Sequence, residues 1–172
     1  MDSKFETNEE VVQAAKKALN QGAWNYLVGA SESETSMRRN RLSFDKVAFR
    51  PRVLSDVSKI DPSSLLLGHK LRIPVILAPI GSLQVFEPEG GVASAKAADT
   101  FGTIQTVSSV TLPSLEDISE STNSPKIFQL YVHGDWSWTE DMVDRVVEAG
   151  YKSLCVTVDT AHYSRRERPL LM

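Results

Sequence analysis

Four short apolar runs, separated by helical patterns, constrain this chain more than any other feature. They are PVILAP from Pro74, TIQTVSS from Thr103, KIFQLYV from Lys126 and SLCVTVD from Ser153. Strands apolar on both faces that alternate with helices belong in a parallel sheet covered on its faces. The first intervening helix is expected from about Pro88 to Phe101, with Val92, Ala95, Ala98 and Phe101 on one side, Pro88 in its opening turn and Gly102 at its close. Ser114 with Asp117 opens a short second helix. Ser137 with Glu140 reads as the capping box of a third, which carries Met142, Val143, Val146 and Val147 up to Gly150.

The order β-α-β-α-β-α-β fits either a flavodoxin-like open sheet or the first part of a (β/α)8 barrel. No GxGxxG or GxxxxGK[ST] follows any of the runs, which argues against the dinucleotide and P-loop forms of the open sheet.

The chain ahead of this pattern reads as helical. Asn8, followed by Glu9 and Glu10, predicts a capped helix whose apolar positions Val11, Val12, Ala15, Ala18 and Leu19 run on to Gly22. A second helix is expected from Ala23 to Val28 and a third from Thr35 to Phe44. SLLL and KLRI flank Gly68-His69 as a small hairpin. The expected organisation is a helical N-terminal segment, 1–63, followed by an α/β part, 64–172.

With 172 residues, 41% apolar and 24% charged, the chain has room for a real core. A net charge of −3 with no Lys/Arg run longer than a pair argues against a phosphate-backbone binder, so no nucleic-acid partner is expected. The apolar runs fall well short of the ~20 residues of a membrane span. Met1 is followed by acidic, polar DSKFETNEE rather than a secretory signal, so the expected location is cytoplasmic. Cys155, the single cysteine, permits no internal disulfide and reads as a small buried hydrophobe. His69, His133 and His162 have no metal-ligand spacing, and no metal is expected.

In either architecture ligands gather at the carboxyl ends of the strands. Those ends carry Pro79-Ile80-Gly81-Ser82, Ser108-Ser109, Gln129 and Tyr131, and Thr157 and Asp159, followed by Arg165-Arg166. Neutral amides and hydroxyls suit a flat heteroaromatic ring edged with carbonyls and ring nitrogens, while a tyrosine and an arginine suit a small carboxylate. Asp159 reads as a structural carboxylate and His133 as a loop residue.

The segments YLVGASESETSMRRN, FRPRVLSDVS, ILAPIG, FQLYV, TVDT and RRER, in this order, resemble the FMN-dependent α-hydroxy acid oxidase and dehydrogenase family. Glycolate oxidase, lactate oxidase, mandelate dehydrogenase and the flavin domain of flavocytochrome b2 belong to it. The resemblance implies a flavoprotein that oxidises small 2-hydroxy acids, with N-terminal helices followed by the first four βα units of a (β/α)8 TIM barrel. It implies that Pro79, Ile80, Gly81, Ser108, Gln129 and Thr157 bind FMN, and that Tyr26, Tyr131 and Arg166 hold the substrate. The family's proton-abstracting histidine, second arginine and phosphate loops match nothing in these 172 residues, so no catalytic base is assigned. The sequence therefore reads as a half barrel, apparently truncated. Either it is an oxidoreductase of this type, or it is an incompetent half that contributes contacts only. The expected partners are the hydroxy acid and a completing C-terminal half or a second copy.

Overall fold

The computed structural model describes residues 4–160 and 162–171 and, within them, seven α-helices and five strands. These residues sort into two units, 4–55 with 162–171, and 56–160.

In the first unit, helix α1 spans Asn8–Ala18. Its cap is Thr7 rather than Asn8: Thr7 Oγ1 accepts the Glu10 N–H at 3.3 Å, and the Glu10 carboxylate accepts the Thr7 N–H at 3.4 Å. This reciprocal box satisfies two of the helix's otherwise orphaned donors, which a lone Asn8 cap would not. The helix also ends before Gly22, because Asn20 Oδ1 takes the Ala23 N–H at 2.9 Å and starts helix α2, Gln21–Val28. Helix α3 spans Thr35–Asp45 and α7 spans Glu167–Leu170. None of α1, α3 and α7 has a buried residue; in α2 only Ala23 and Asn25 are buried.

The second unit opens with the expected hairpin, β1 (Ser64–Leu66) against β2 (His69–Leu71). Its turn residues are Leu67 and Gly68, at φ 52° and 77°. A two-residue hairpin turn needs left-handed backbone, so Gly68 suits the position and Leu67 adopts it under constraint. Strands β3 (Gln105–Ser108), β4 (Lys126–Leu130) and β5 (Ser153–Val156) form a parallel sheet in that order. The run PVILAP, expected as a fourth strand, makes one parallel bridge only: Leu77 donates to Ile104 O and accepts from the Thr106 N–H, both at 2.9 Å. Pro79, the next residue facing β3, lacks the N–H that would extend the ladder, and the Val75 N–H is turned to Ile73 O at 2.8 Å.

Helix α4 is Gly91–Phe101, α5 is Leu115–Glu120 and α6 is Trp136–Glu148. Two starts differ from expectation. Pro88 lies outside α4 because Gly90, at φ 51°, turns the chain against Leu112, whose carbonyl accepts the Gly91 N–H at 2.8 Å. A Cβ on Gly90 would lie 2.1 Å from that carbonyl oxygen, so only glycine fits. In α6 the cap is Asp135, whose Oδ1 accepts the Trp138 N–H at 2.9 Å, and Ser137 and Glu140 fall inside the helix. The Ser114 cap of α5 is as expected, with its Oγ accepting the Asp117 N–H at 3.1 Å.

Parallel pairing puts alternate residues of the three strands on common faces. On one face Val107, Phe128 and Leu130 pack with Ala95, Ile118, Met142, Val146 and Tyr151 of the helical layer and its loops. Each fully buried valine, leucine, isoleucine or phenylalanine among them contributes about 1.5–3 kcal/mol. The Tyr151 hydroxyl donates to Leu115 O at 2.8 Å, and burial pushes its pKa well up. Lys126 is buried as well; its ammonium donates to the carbonyls of Ser119, Thr122 and Ser124 where α5 ends, and burial lowers its pKa. Cations are favoured at that end of a helix.

The opposite face changes character along its length. At the amino end Ile104 and Ile127 are buried with Leu71 of the hairpin, against Leu66 and Ile76. At the carboxyl end the same face carries Ser108, Gln129 and Thr157. Cys155 is exposed, not buried as expected: among the described residues β5 pairs only with β4, and Leu154 and Val156 stand exposed beside it.

Candidate functional site

At the carboxyl end of the sheet the structure brings together most of the residues marked out for a flat polar ligand. Ser108 and Gln129 are register partners on β3 and β4, each 3% exposed. The Gln129 Nε2 amide donates to Thr157 Oγ1 at 2.6 Å, which ties β4 to the residue that follows β5 and fixes the amide's orientation. Ser109, a strand-end hydroxyl by sequence, has a structural task here. Its Oγ accepts the Tyr131 N–H at 3.1 Å, and its own N–H donates to Gln129 O at 2.8 Å, so it sets the path of the chain into Tyr131.

Pro79, Ile80 and Gly81 run beside these strand ends. The Ser82 N–H donates to Val110 O at 3.0 Å, and the Leu83 N–H donates to Thr111 Oγ1 at 3.2 Å. A Cβ on Gly81 would sit 2.7 Å from Val110 Cγ2 and 3.9 Å from Ser108 Oγ, so the missing side chain is what lets this backbone approach β3. Thr111 and Val110 were not marked out by the sequence, because no spacing rule links them to residues 28 positions earlier. His133 lies in the exposed loop after β4, as expected, with its ring 5.8 Å from that of Tyr131 and 6.3 Å from that of Trp138. Asp159 stands exposed beyond β5.

The remaining two marked residues, Tyr26 and Arg166, meet within the first unit. The Arg166 guanidinium lies over the Tyr26 ring at 4.8 Å from its centroid, and its Nη1 donates to Tyr26 O at 3.2 Å. They line an open cavity of about 480 Å³ together with Tyr163, Arg165 and Pro169. The segment bearing Arg166 is attached to the 30s region by a bridge with Glu32, whose N–H donates to Arg165 O at 2.6 Å. Two residues on, Arg168 Nε and Nη2 donate to the two Glu34 carboxylate oxygens at 2.7 and 2.6 Å. That pairing holds the Glu34 carboxyl below its usual pKa and raises that of Arg168. No sequence signal marked this pair, whose members stand 134 residues apart.

Chemically, the second-unit set can donate to and accept from a neutral heteroaromatic edge without placing a charge there. The first-unit set offers a cation and a phenol to a small anion. Among the described residues no group of His, Cys, Asp and Glu could hold a metal ion.

The comparisons with known proteins point the same way. The family model described as FMN-dependent dehydrogenase matches residues 15–171. Glycolate oxidase 1 of Oryza sativa subsp. indica is 40% identical over 162 residues, which cover 94% of this chain and 44% of that protein. Glycolate oxidase 1 of Zea mays matches with the same identity and coverage. A crystal structure of mandelate oxidase superposes with a TM-score of 0.92 at 29% identity, covering 98% of this chain and 49% of that one. A mandelate oxidase variant solved with a C4a-OH-FMN adduct matches with a TM-score of 0.88 at 30% identity. The chain thus spans about half the length of the relatives it matches, and its fold is that of the N-terminal half of the mandelate oxidase barrel.

Proposed function

Since the chain belongs to the FMN-dependent dehydrogenase family, we propose that it serves an oxidoreductase that converts small 2-hydroxy acids to 2-oxo acids with FMN as cofactor. The observation that carries this reading is the neutral layer Ser108, Gln129 and Thr157 at the carboxyl ends of the strands, flanked by the close backbone approach at Gly81.

These residues fit a flavin ring. The amide and hydroxyls match its alternating donors and acceptors, and Gly81, by packing closely on Val110, keeps the Pro79–Gly81 backbone beside them. When bound, FMN would supply the two-electron acceptor. Gln129, held by Thr157, would orient the ring's polar edge together with Ser108, while Pro79, Ile80 and Gly81 would support it through the backbone. In the second unit Tyr131, anchored through Ser109, and in the first unit Tyr26 with Arg166 are each suited to a substrate carboxylate. Holding a reactant in register is itself a large part of such catalysis. None of these residues is assigned the proton-abstracting role, and the proposal keeps the cytoplasmic setting expected from the sequence.

A second reading is supported by the coverage, since the matched relatives carry about as much sequence again outside the match. In it these 172 residues contribute flavin and substrate contacts and turn over only with a completing C-terminal half or a second copy. Adding glycolate or mandelate anaerobically to the FMN-loaded chain separates the two. Loss of flavin absorbance supports turnover by the chain itself. Flavin binding without bleaching supports the second reading, and failure to bind flavin contradicts both.

A further inference from the structure

We propose that Glu34 is a positioning residue, which acts through Arg168 to hold the Arg166 guanidinium on the face of Tyr26. The consequence for substrate rests on the function proposed above; the clamp itself does not.

The case is built from the first unit alone. Arg166 is held locally by one 3.2 Å bond to Tyr26 O and by its stacking on the Tyr26 ring. Stacking of a half-exposed cation on tyrosine is a weak restraint. The segment that carries Arg166 is better fastened on either side. Before it, the Glu32 N–H donates to Arg165 O. After it, the Arg168 guanidinium grips both oxygens of Glu34. Paired, coplanar donors and acceptors of this kind fix orientation as well as distance.

The Glu34 side chain is only 13% exposed, although its partner is 45% exposed, so the carboxylate is built into the unit rather than waving from it. Its backbone is also committed, at φ 62° in the left-handed region where glutamate is uncommon, at the start of α3. The same segment packs on α2: a Cβ on Gly29 would meet Pro169 Cδ at 3.5 Å and Arg168 Cβ at 3.6 Å. Arg168 therefore reaches Glu34 only while residues 165–169 lie along the end of α2, which is the arrangement that puts Arg166 over Tyr26. An ordinary surface ion pair contributes little. A bidentate pair that closes the one segment bearing a substrate-holding arginine instead controls where that arginine sits.

The test is NMR of the full chain with labelled arginine side chains. A guanidinium stacked on a tyrosine ring shows an upfield ring-current displacement of its Nε–H signal. In Glu34→Gln and in Arg168→Ala this displacement of the Arg166 signal should fall by at least half, while signals of the second unit, such as the Gln129 side-chain amide, stay in place. The exchange Glu34→Arg with Arg168→Glu should restore it. Unchanged Arg166 signals in both single variants would overturn the proposal, as would collapse of the second-unit signals together with Arg166, which would mark a general folding defect. Glycolate titration of the wild-type chain, followed on the same Arg166 signal, is read separately. No response to glycolate would count against the substrate role of Arg166, while loss of stacking in Glu34→Gln would still establish the clamp.

Discussion

The two units of this molecule are held together by different physics. Of the buried apolar side chains among the described residues, Ala23 alone belongs to the unit of residues 4–55 and 162–171; the rest, from Leu71 to Tyr151, lie in the unit of residues 56–160. The second unit is a hydrophobic core between a parallel sheet and three helices. The first relies on caps, a bidentate ion pair and a cation on an aromatic ring, while Val11, Val12, Leu42 and Phe44 of its helices stay exposed. Non-directional burial fixes a fold against many substitutions, whereas directional polar contacts fix individual side chains and fail one at a time.

Truncation in the two units gives the largest expected contrast. Phe128→Ala, at a side chain 1% exposed, should cost about 3–5 kcal/mol in denaturant unfolding. Leu42→Ala, at 49% exposure, should stay within about 0.5 kcal/mol. Equal losses would break the comparison. Next in size is Gly90→Ala, where the new Cβ meets the Leu112 carbonyl and the backbone is left-handed; a cost of about 1–3 kcal/mol is expected from the same unfolding curves.

Thr7→Ala should then cost about 1 kcal/mol and lower the circular dichroism of α1. A loss confined to the first unit, with second-unit amide signals unmoved, sharpens the distinction. The smallest effect is in pH. Glu34 and Glu116 are both held below the usual carboxylate value by their arginine partners, Arg168 and Arg145. Groups with depressed folded pKa values stabilise above the unfolded value and lose that contribution as pH falls through the folded one. Both pairs should therefore persist from neutrality to below pH 4.5, and carboxylate chemical-shift titrations should find midpoints under that value.

How far the sequence showed all this depended on the kind of force. The three paired strands and their helices were visible because burial imposes periodicity: Phe128 and Leu130 recur at strand spacing, Met142 and Val146 at helical spacing. The PVILAP run lies parallel beside β3 as its apolarity suggests, but it forms a single bridge, since Pro79 has no N–H with which to lengthen the ladder. Caps shifted by one or two residues, since Thr7 and Asp135 compete with Asn8 and Ser137 through side-chain geometry that spacing does not encode. In the site, Ser108, Gln129 and Thr157 were legible as strand-end polar groups and do come together. The Glu34–Arg168 pair was not legible, because a contact across 134 residues between two exposed-type side chains leaves no local pattern.

The claim that matters most is that the neutral layer at the strand ends addresses a flavin ring. It is tested most directly by titrating the 172-residue chain with riboflavin and with FMN, in wild type and in Gln129→Leu, and following flavin fluorescence. Because the groups identified face the ring and not the phosphate, the two ligands should bind wild type with similar affinity. The variant should weaken both by about tenfold, the equivalent of roughly 1.4 kcal/mol in lost hydrogen bonding. Binding that ignores Gln129→Leu, or FMN bound far more tightly than riboflavin, would contradict it.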